Sequence, residues 1–497
     1  MGEALHMLLE RNARKYPNEC GVLSLEYQTE WSWQELNQRA NGVAETMLKK
    51  GLKKGDRIAL VIPNRPEFLA VYFGVLKAGG VVVPVNVRLA KPEVEYLLND
   101  SQAVGAVFDH GMGFSGQEIS EKCETLQFYL TIQELEDGDY DDPKLDILVS
   151  DVAEILYTSG TTGKPKGVVL THNCVYEVGT MMAYEAEIKY GDRALLLMPL
   201  THSAPLNLFV IGAVYAGAAC VVGNFTTPQA ILKTCHEAKT THFFGAPVAY
   251  LLALQIDNFN DYDLSSTKLW TYGGAPMAKE AIHKIMSKFP GKFMSLYGLT
   301  ESGPNGVAMY HEQHEEHAGS IGNKAAVNCE YKVLTDEGKI AGPGEKGEVY
   351  LKSPSVMLEY LNKPEATKEV LENGWIKTGD IAEIDDKGYL WIMGRKKDII
   401  LSGGVNVYPK EIENALAQHS AVADVAVIGV PHKDWGETVM AVVVLKPGVE
   451  KPDKKELQEF CGKFLADFKV PRLIRFDEVI PRNASGKILK HLISREV

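Results

Sequence analysis

Asp151-Val-Ala-Glu-Ile-Leu-Tyr157 runs directly into Thr158-Ser-Gly-Thr-Thr-Gly-Lys-Pro-Lys-Gly167. The first stretch is mostly apolar and reads as a buried strand; the second supplies what a phosphate group needs. Gly160, Gly163 and Gly167 allow close backbone approach, Thr158, Ser159, Thr161 and Thr162 offer hydroxyl donors, and Lys164 and Lys166 bring positive charge. The spacing is not that of the nucleotide loop G-x-x-x-x-G-K-[ST], because Pro165 follows Lys164. A surface turn would explain the glycines alone, but not glycines, hydroxyls and lysines together.

Outward from this strand the chain alternates helical and strand patterns. Trp33 to Lys50 has helical periodicity, and Arg57-Ile-Ala-Leu-Val-Ile62 and Gly80-Val-Val-Val-Pro84 are short apolar runs. That alternation predicts an α/β fold with buried, mostly parallel strands. Toward the C-terminus, Gly347-Glu-Val-Tyr-Leu351 and Gly388-Tyr-Leu-Trp-Ile392 predict a β-rich part with Asp/Gly turns. Beyond Gly394 comes a small α+β segment with helices at Pro409 to Gln418 and Lys454 to Phe464 and strands at Val422 to Val430 and Val439 to Leu445. The expected division is a large N-terminal lobe, 1–394, and a small C-terminal domain, 395–497.

The chain has 497 residues, 45% hydrophobic and 24% charged, which excludes a disordered chain and a small disulfide scaffold. A formal charge of −13 with no basic tail argues against nucleic acid. The charge is uneven: residues 395–497 carry 17 basic against 14 acidic side chains, and residues 1–394 carry 35 against 51. Seven scattered cysteines without a C-x-x-C pair fit a reducing compartment, and no signal peptide is visible, so a cytoplasmic protein is expected. Between Arg193 and Lys233 there is no Asp, Glu, Lys or Arg. Pro199, Pro205, Asn207 and Pro228 punctuate this tract, so it reads as a buried helix feeding a core strand rather than a transmembrane segment.

Further motifs follow in order: Gly273-Gly-Ala-Pro276, Tyr297-Gly-Leu-Thr-Glu301, Trp375-Ile-Lys-Thr-Gly-Asp380, Gly394-Arg-Lys-Lys-Asp-Ile-Ile400 and Pro481-Arg-Asn-Ala-Ser-Gly-Lys487. Together with the Thr158–Gly167 loop they resemble, over essentially the whole chain, the adenylate-forming superfamily of acyl-CoA synthetases, luciferases and peptide-synthetase adenylation domains. The resemblance is strongest to acyl-CoA synthetases of the fatty-acid–CoA ligase type.

That resemblance implies an enzyme joining a carboxylic acid to ATP as an acyl-adenylate, with pyrophosphate released, and then passing the acyl group to a thiol. Such chemistry rests on positioning and charge stabilisation. By resemblance, the 158–167 loop holds the β- and γ-phosphates, Thr300 touches the α-phosphate and Glu301 helps to hold Mg²⁺. Asp380 accepts the ribose hydroxyls, Arg395 adds a ribose or phosphate contact, and Gly273, Gly274 and Ala275 sandwich adenine against Tyr297, beside Gly298. Lys487 is the mobile cation over the reacting carboxylate and α-phosphate. Lys397 falls at the hinge, and Ser402, Gly403 and Gly404 form the glycine loop lining a pantetheine channel, although a tight β-turn explains those glycines equally well. Trp435 has two readings, a stack on the CoA adenine or a core residue. His202 is expected at the carboxylate end of the acyl pocket, to gate or orient the acid.

The pocket is expected to draw on Pro205, Leu206, Asn207, Phe209, Val210, Ala246, Pro247 and Ser295. With no Arg or Lys there to pair a second carboxylate, a monocarboxylic acid, fatty or aromatic, is the expected substrate. CoA is the expected acceptor: the chain stops at Val497 without a carrier domain, and Ser494-Arg-Glu-Val lacks the Ser-Lys-Leu common in luciferases. An acyl-AMP ligase loading a separate carrier protein, or a non-catalytic nucleotide or lipid binder, are the alternatives. A monomer or homodimer is expected. Two motifs are discounted. Gly342-Pro-Gly-Glu-Lys-Gly347 spells G-x-G-x-x-G but lies between strands and reads as a hairpin loop; His311, His314 and His317 lack metal-site spacing and read as a solvated polar segment.

Overall fold

The structure is a computed structural model that describes residues 3–109, 114–135, 138, 140–158, 164–275, 277–402, 405–433, 435–482 and 488–495. The strand expected from Asp151 runs Val152–Thr158 inside a seven-stranded sheet. Across that sheet the order is Glu359–Tyr360, Lys166–Thr171, Val152–Thr158, Val81–Pro84, Arg57–Val61, Gly105–Phe108 and Phe128–Thr131. The last five are mutually parallel, and Lys166–Thr171 folds back antiparallel on Val152–Thr158. Cover on both faces explains why these strands read as unbroken apolar runs.

A second, nine-stranded sheet has a parallel centre built from Lys292–Gly298, Leu269–Gly273, His242–Gly245, Arg193–Leu196, Ala219–Val222 and Cys20–Ser24. Helices fill the space around it. Trp33–Lys49 starts on a reciprocal Ser32 and Glu35 cap, an arrangement that stabilises a helix by ~1 kcal/mol. It lies against Pro66–Lys77, in which every residue but Glu67 is buried. Gly74 permits that approach, since a Cβ there would lie 2.5 Å from Cβ of Val43.

The uncharged tract folds as helix then strand. Ala204–Val210 winds as a π-helix, Ile211–Ala216 continues as α-helix, Gly217 ends it at φ +74°, and Ala219–Val222 enters the nine-stranded sheet. Among the described residues, no helix is long and apolar enough to cross a membrane.

A third, antiparallel sheet carries Glu330–Leu334, Lys346–Lys352, Trp375–Ile384 and Leu390–Arg395. Gly342 to Gly347 falls in the turn of its first hairpin and into the strand that follows, as expected. From Ile400 onward a separate five-stranded sheet has its own core of Val407, Ile412, Val427, Ala441, Val443 and Leu457 among others. Lys346 of the third sheet meets Glu411, on the helix Pro409–Leu416, at 2.9 Å, and Lys469 binds the same carboxylate. Burial pushes the Glu411 carboxyl up, but the two lysines outweigh it and hold it below its ordinary value.

The histidine triplet differs from expectation. His314 is fully buried, its ring bonded to the Tyr272 hydroxyl at 3.0 Å and the Tyr310 carbonyl at 2.8 Å, and His317 stacks on Tyr389 at 3.6 Å. The His314 and His317 rings are therefore packed, His314 against a tyrosine of the second sheet, while Glu312, Glu315 and Glu316 beside them are exposed as expected. No group of His, Cys, Asp and Glu suited to a metal occurs among the described residues. All seven cysteines are free, and Cys123, Cys174, Cys220, Cys235 and Cys461 are buried.

Candidate active site

Three of the motifs begin where strands of the seven- and nine-stranded sheets end. Val152–Thr158 delivers Thr158, Leu269–Gly273 delivers Gly273, and Lys292–Gly298 delivers Tyr297 and Gly298, all at carboxyl ends, where open α/β sheets bind ligands. Gly273 and Gly274 suit a backbone that must present a flat surface. A Cβ on Gly273 would lie 2.5 Å from the Leu296 carbonyl, and Gly274 sits at φ +76°.

Asp380 is buried at the centre of one cluster. It stands opposite Arg395 in the antiparallel pair of the third sheet; Arg395 Nε donates to Oδ1 at 2.6 Å, and the Tyr297 hydroxyl donates to Oδ2 at 2.7 Å. Arg395 also reaches the Thr378 carbonyl at 3.3 Å. Burial works against the Arg395 charge, but Asp380, Tyr297, Glu301 and Asp398 outweigh it and raise its pKa. Burial and the Asp380 charge push the Tyr297 phenol well above its ordinary range.

A second cluster adjoins it through the Tyr297–Glu301 segment. The Tyr360 hydroxyl donates to Glu301 Oε1 at 2.6 Å, and Lys166 Nζ lies 4.8 Å from the centre of the Tyr360 ring. Burial and the Glu301 charge push the Tyr360 phenol up. Thr300 Oγ1 lies 3.1 Å from Ser203 Oγ, which links this segment to the turn holding His202. The His202 Nε2 atom is buried with no hydrogen-bond partner among the described residues, and burial lowers its pKa, so the ring is neutral at physiological pH.

Lys166, His202, Tyr297, Thr300, Glu301, Asp380 and Arg395 thus form one neighbourhood. Lys164 is nearby, its Nζ 5.6 Å from the Tyr96 ring. Ser402 lies in the C-terminal sheet, paired with Gly436, the residue that follows Trp435. Trp435 is partly exposed, stacked on His432 at 4.4 Å, with the Arg472 guanidinium 3.4 Å from its ring centre. Lys397 is exposed in the single turn Lys396–Asp398. Ser159, Gly160, Thr161, Thr162, Gly163, Gly403, Gly404 and Lys487 lie outside the described residues.

The sequence reading missed Tyr360, which lies on the two-residue edge strand Glu359–Tyr360 outside every motif. It also placed Asn207 on the acyl pocket. The structure instead turns the Asn207 amide onto Glu154 at 2.7 Å, since the π-helix presents that side chain to the seven-stranded sheet.

Residues 9–361 match the AMP-binding enzyme family, and residues 411–487 match the AMP-binding enzyme C-terminal domain. The chain belongs to the AMP-binding enzyme family. Within that family it is 36% identical to the long-chain-fatty-acid–CoA ligase FadD13 of Mycobacterium tuberculosis, over 94% of this chain and 93% of that protein. It is 34% identical to a feruloyl-CoA synthase of Amycolatopsis, over 98% and 97%. Among solved structures, a Mycobacterium tuberculosis fatty acyl CoA synthetase superposes with a TM-score of 0.80 at 33% identity, covering 98% of this chain and 97% of that one. Like such AMP-binding enzymes, this chain has a large mixed α/β N-terminal part and a small C-terminal domain.

Proposed function

We propose that this AMP-binding enzyme is an ATP-dependent acid–CoA ligase acting on a monocarboxylic acid, most naturally a fatty acid. The observation that carries the reading is the junction of the two clusters: Asp380, held by Tyr297 and Arg395, lies next to a Thr300–Ser203 contact that leads to His202. The first offers a carboxylate to a ribose, the second a hydroxyl to an α-phosphate beside a neutral imidazole.

In the first step an acid oxygen bonds to the α-phosphorus of ATP, the bond to the β-phosphate oxygen breaks, and pyrophosphate leaves. In the second the CoA sulfur bonds to the acyl carbon, the acyl–phosphate bond breaks, the thiol proton leaves and AMP departs. Asp380, oriented by Tyr297 and Arg395, offers the carboxylate that accepts the ribose hydroxyls. Gly273, Gly274, Ala275 and Tyr297 form the adenine slot, with Gly298 behind. Thr158, Ser159, Gly160, Thr161, Thr162, Gly163, Lys164 and Lys166 hold the outer phosphates, and Arg395 adds positive charge. Neutral His202 orients the acid without neutralising its nucleophilic oxygen. Glu301 fits Mg²⁺: it offers hard oxygen, and Oε2 has no partner among the described residues. Bound there, Mg²⁺ would offset phosphate charge.

We place the lobe boundary at 394/395 with the hinge at Lys397, Lys487 as the cation over the reacting centre, and Ser402, Gly403, Gly404 and Trp435 on the CoA side. The setting is cytoplasmic, supported by free thiols, and the assembly a monomer or homodimer. The relationship to a feruloyl-CoA synthase favours one second reading, an aromatic acid.

The test is AMP release over a panel from acetate to octadecanoate plus benzoates and cinnamates, with and without CoA. The proposal expects CoA-dependent release greatest with a fatty acid. A maximum with cinnamates selects the aromatic reading, indifference to CoA selects a carrier-protein acceptor, and no acid-dependent release leaves only a nucleotide or lipid binder.

A further inference from the structure

Glu154 is fully buried in the middle of Val152–Thr158, and none of its partners among the described residues is a cation. Its Oε2 accepts from the Tyr72 hydroxyl at 3.0 Å and its Oε1 from Asn207 Nδ2 at 2.7 Å; Tyr72 and Asn207 are themselves fully buried. Burial, partly offset by those two bonds, raises the carboxyl to about 7. An apolar side chain would serve the core as well or better, because an isolated buried carboxylate is costly. The arrangement therefore calls for an explanation other than stability.

What it holds is the acid-side turn. Asn207 sits inside the π-helix Ala204–Val210, directly after Ser203 and His202. π-Helical turns are rare and concentrate at functional sites. Upstream of the same turn, Asn64 accepts from the Leu200 amide at 2.9 Å and donates to the Met198 carbonyl at 2.8 Å and the Leu196 carbonyl at 3.3 Å. The segment bearing His202 is thus tied on both flanks to the half of the molecule that carries the phosphate loop. The strand of Glu154 is the one that ends at Thr158.

We propose that Glu154, acting through Asn207, is a positioning residue for adenylation: it fixes the His202–Ser203 turn against Thr300 and so sets where the acid carboxylate lies relative to the phosphate loop. The inference rests on the ligase reading, because only an acid substrate gives that turn its role.

Three full-length variants test it by acid-dependent pyrophosphate–ATP exchange. Glu154→Leu and Asn207→Leu each remove the link while filling its space, and are expected to raise the KM for acid about tenfold, the loss of one buried hydrogen bond. The KM for ATP should stay within about twofold. Glu154→Gln, able to accept from Tyr72 and donate to Asn207 Oδ1, whose partner is missing among the described residues, should restore the acid KM to within about threefold. Equal rises in both KM values, unchanged kinetics with lowered thermal stability, or a glutamine variant as impaired as leucine would each overturn the inference. If Glu154→Leu does not fold, Asn207→Leu and Glu154→Gln decide alone. Exchange missing in the wild type overturns the ligase reading and this inference with it; an active wild type with unaffected variants overturns the inference alone.

Discussion

The Tyr297 hydroxyl donates to the Asp380 carboxylate at 2.7 Å, joining the end of a strand in the nine-stranded sheet to the long strand Trp375–Ile384 of the third sheet. With Arg395 on the other oxygen, the carboxylate is oriented before any nucleotide arrives. Asp380→Ala removes the ribose acceptor and leaves the Arg395 guanidinium, itself largely enclosed, without its anion. Charged hydrogen bonds contribute ~1.5–3 kcal/mol, so the KM for ATP should rise about 10- to 100-fold with the acid KM little changed. Tyr297→Phe should cost about fivefold in the same exchange assay.

Tyr360→Phe deletes the donor on Glu301 while keeping the ring under Lys166. If Glu301 contributes to a Mg²⁺ site, the magnesium concentration for half-maximal exchange should rise several-fold, with the unfolding midpoint unchanged. Unaltered magnesium dependence would dissociate Glu301 from the metal.

Much of this was legible in the sequence, for reasons that differ by residue. The strands Arg57–Val61 and Val81–Pro84 are continuous apolar runs because helices cover both faces, so composition alone exposed them. Asp380 and Arg395 sit in spaced motifs, although nothing in the spacing says that they face each other across a hairpin. Glu154 was invisible as a buried carboxylate, because it occupies a place in a strand where period-two reasoning expects either face. His314 misled for the opposite reason: a run of His and Glu looks solvated, yet one ring is inserted beside Tyr272. Tertiary contacts between distant segments decided these cases, and local pattern carries no record of them.

Titration should show two opposing trends. Burial, followed by Lys77, lowers His6 to about 4, and burial, followed by His6, lowers His172 to about 3. Both stay neutral when folded, whereas unfolded histidines take up protons below about pH 6.5, so the stability they contribute is complete above that pH and lost as it falls toward 4 and 3. The slope is ~1.4 kcal/mol per pH unit for each. Chemical denaturation from pH 7 to 4.5 should show falling stability, less steeply in His172→Gln.

Glu154 works the other way. Its folded value of about 7 lies above the ordinary 4.5, so its contribution is full below pH 4.5 and lost as pH climbs through 7. Glu154→Gln should therefore gain stability relative to wild type at pH 8 more than at pH 5.

Lys487→Ala should abolish acid-dependent pyrophosphate exchange while thiolysis of supplied acyl-adenylate by CoA survives. Equal loss of both half-reactions would refute the division of labour assigned to the C-terminal domain.

The most direct measurement is exchange of labelled pyrophosphate into ATP by the wild-type chain, with Mg²⁺ and hexadecanoate but no CoA. Acyl-adenylate chemistry predicts exchange that requires the acid, and AMP rather than ADP as the nucleotide product once CoA is added. Exchange that ignores every acid, or release of ADP and phosphate, would contradict the account.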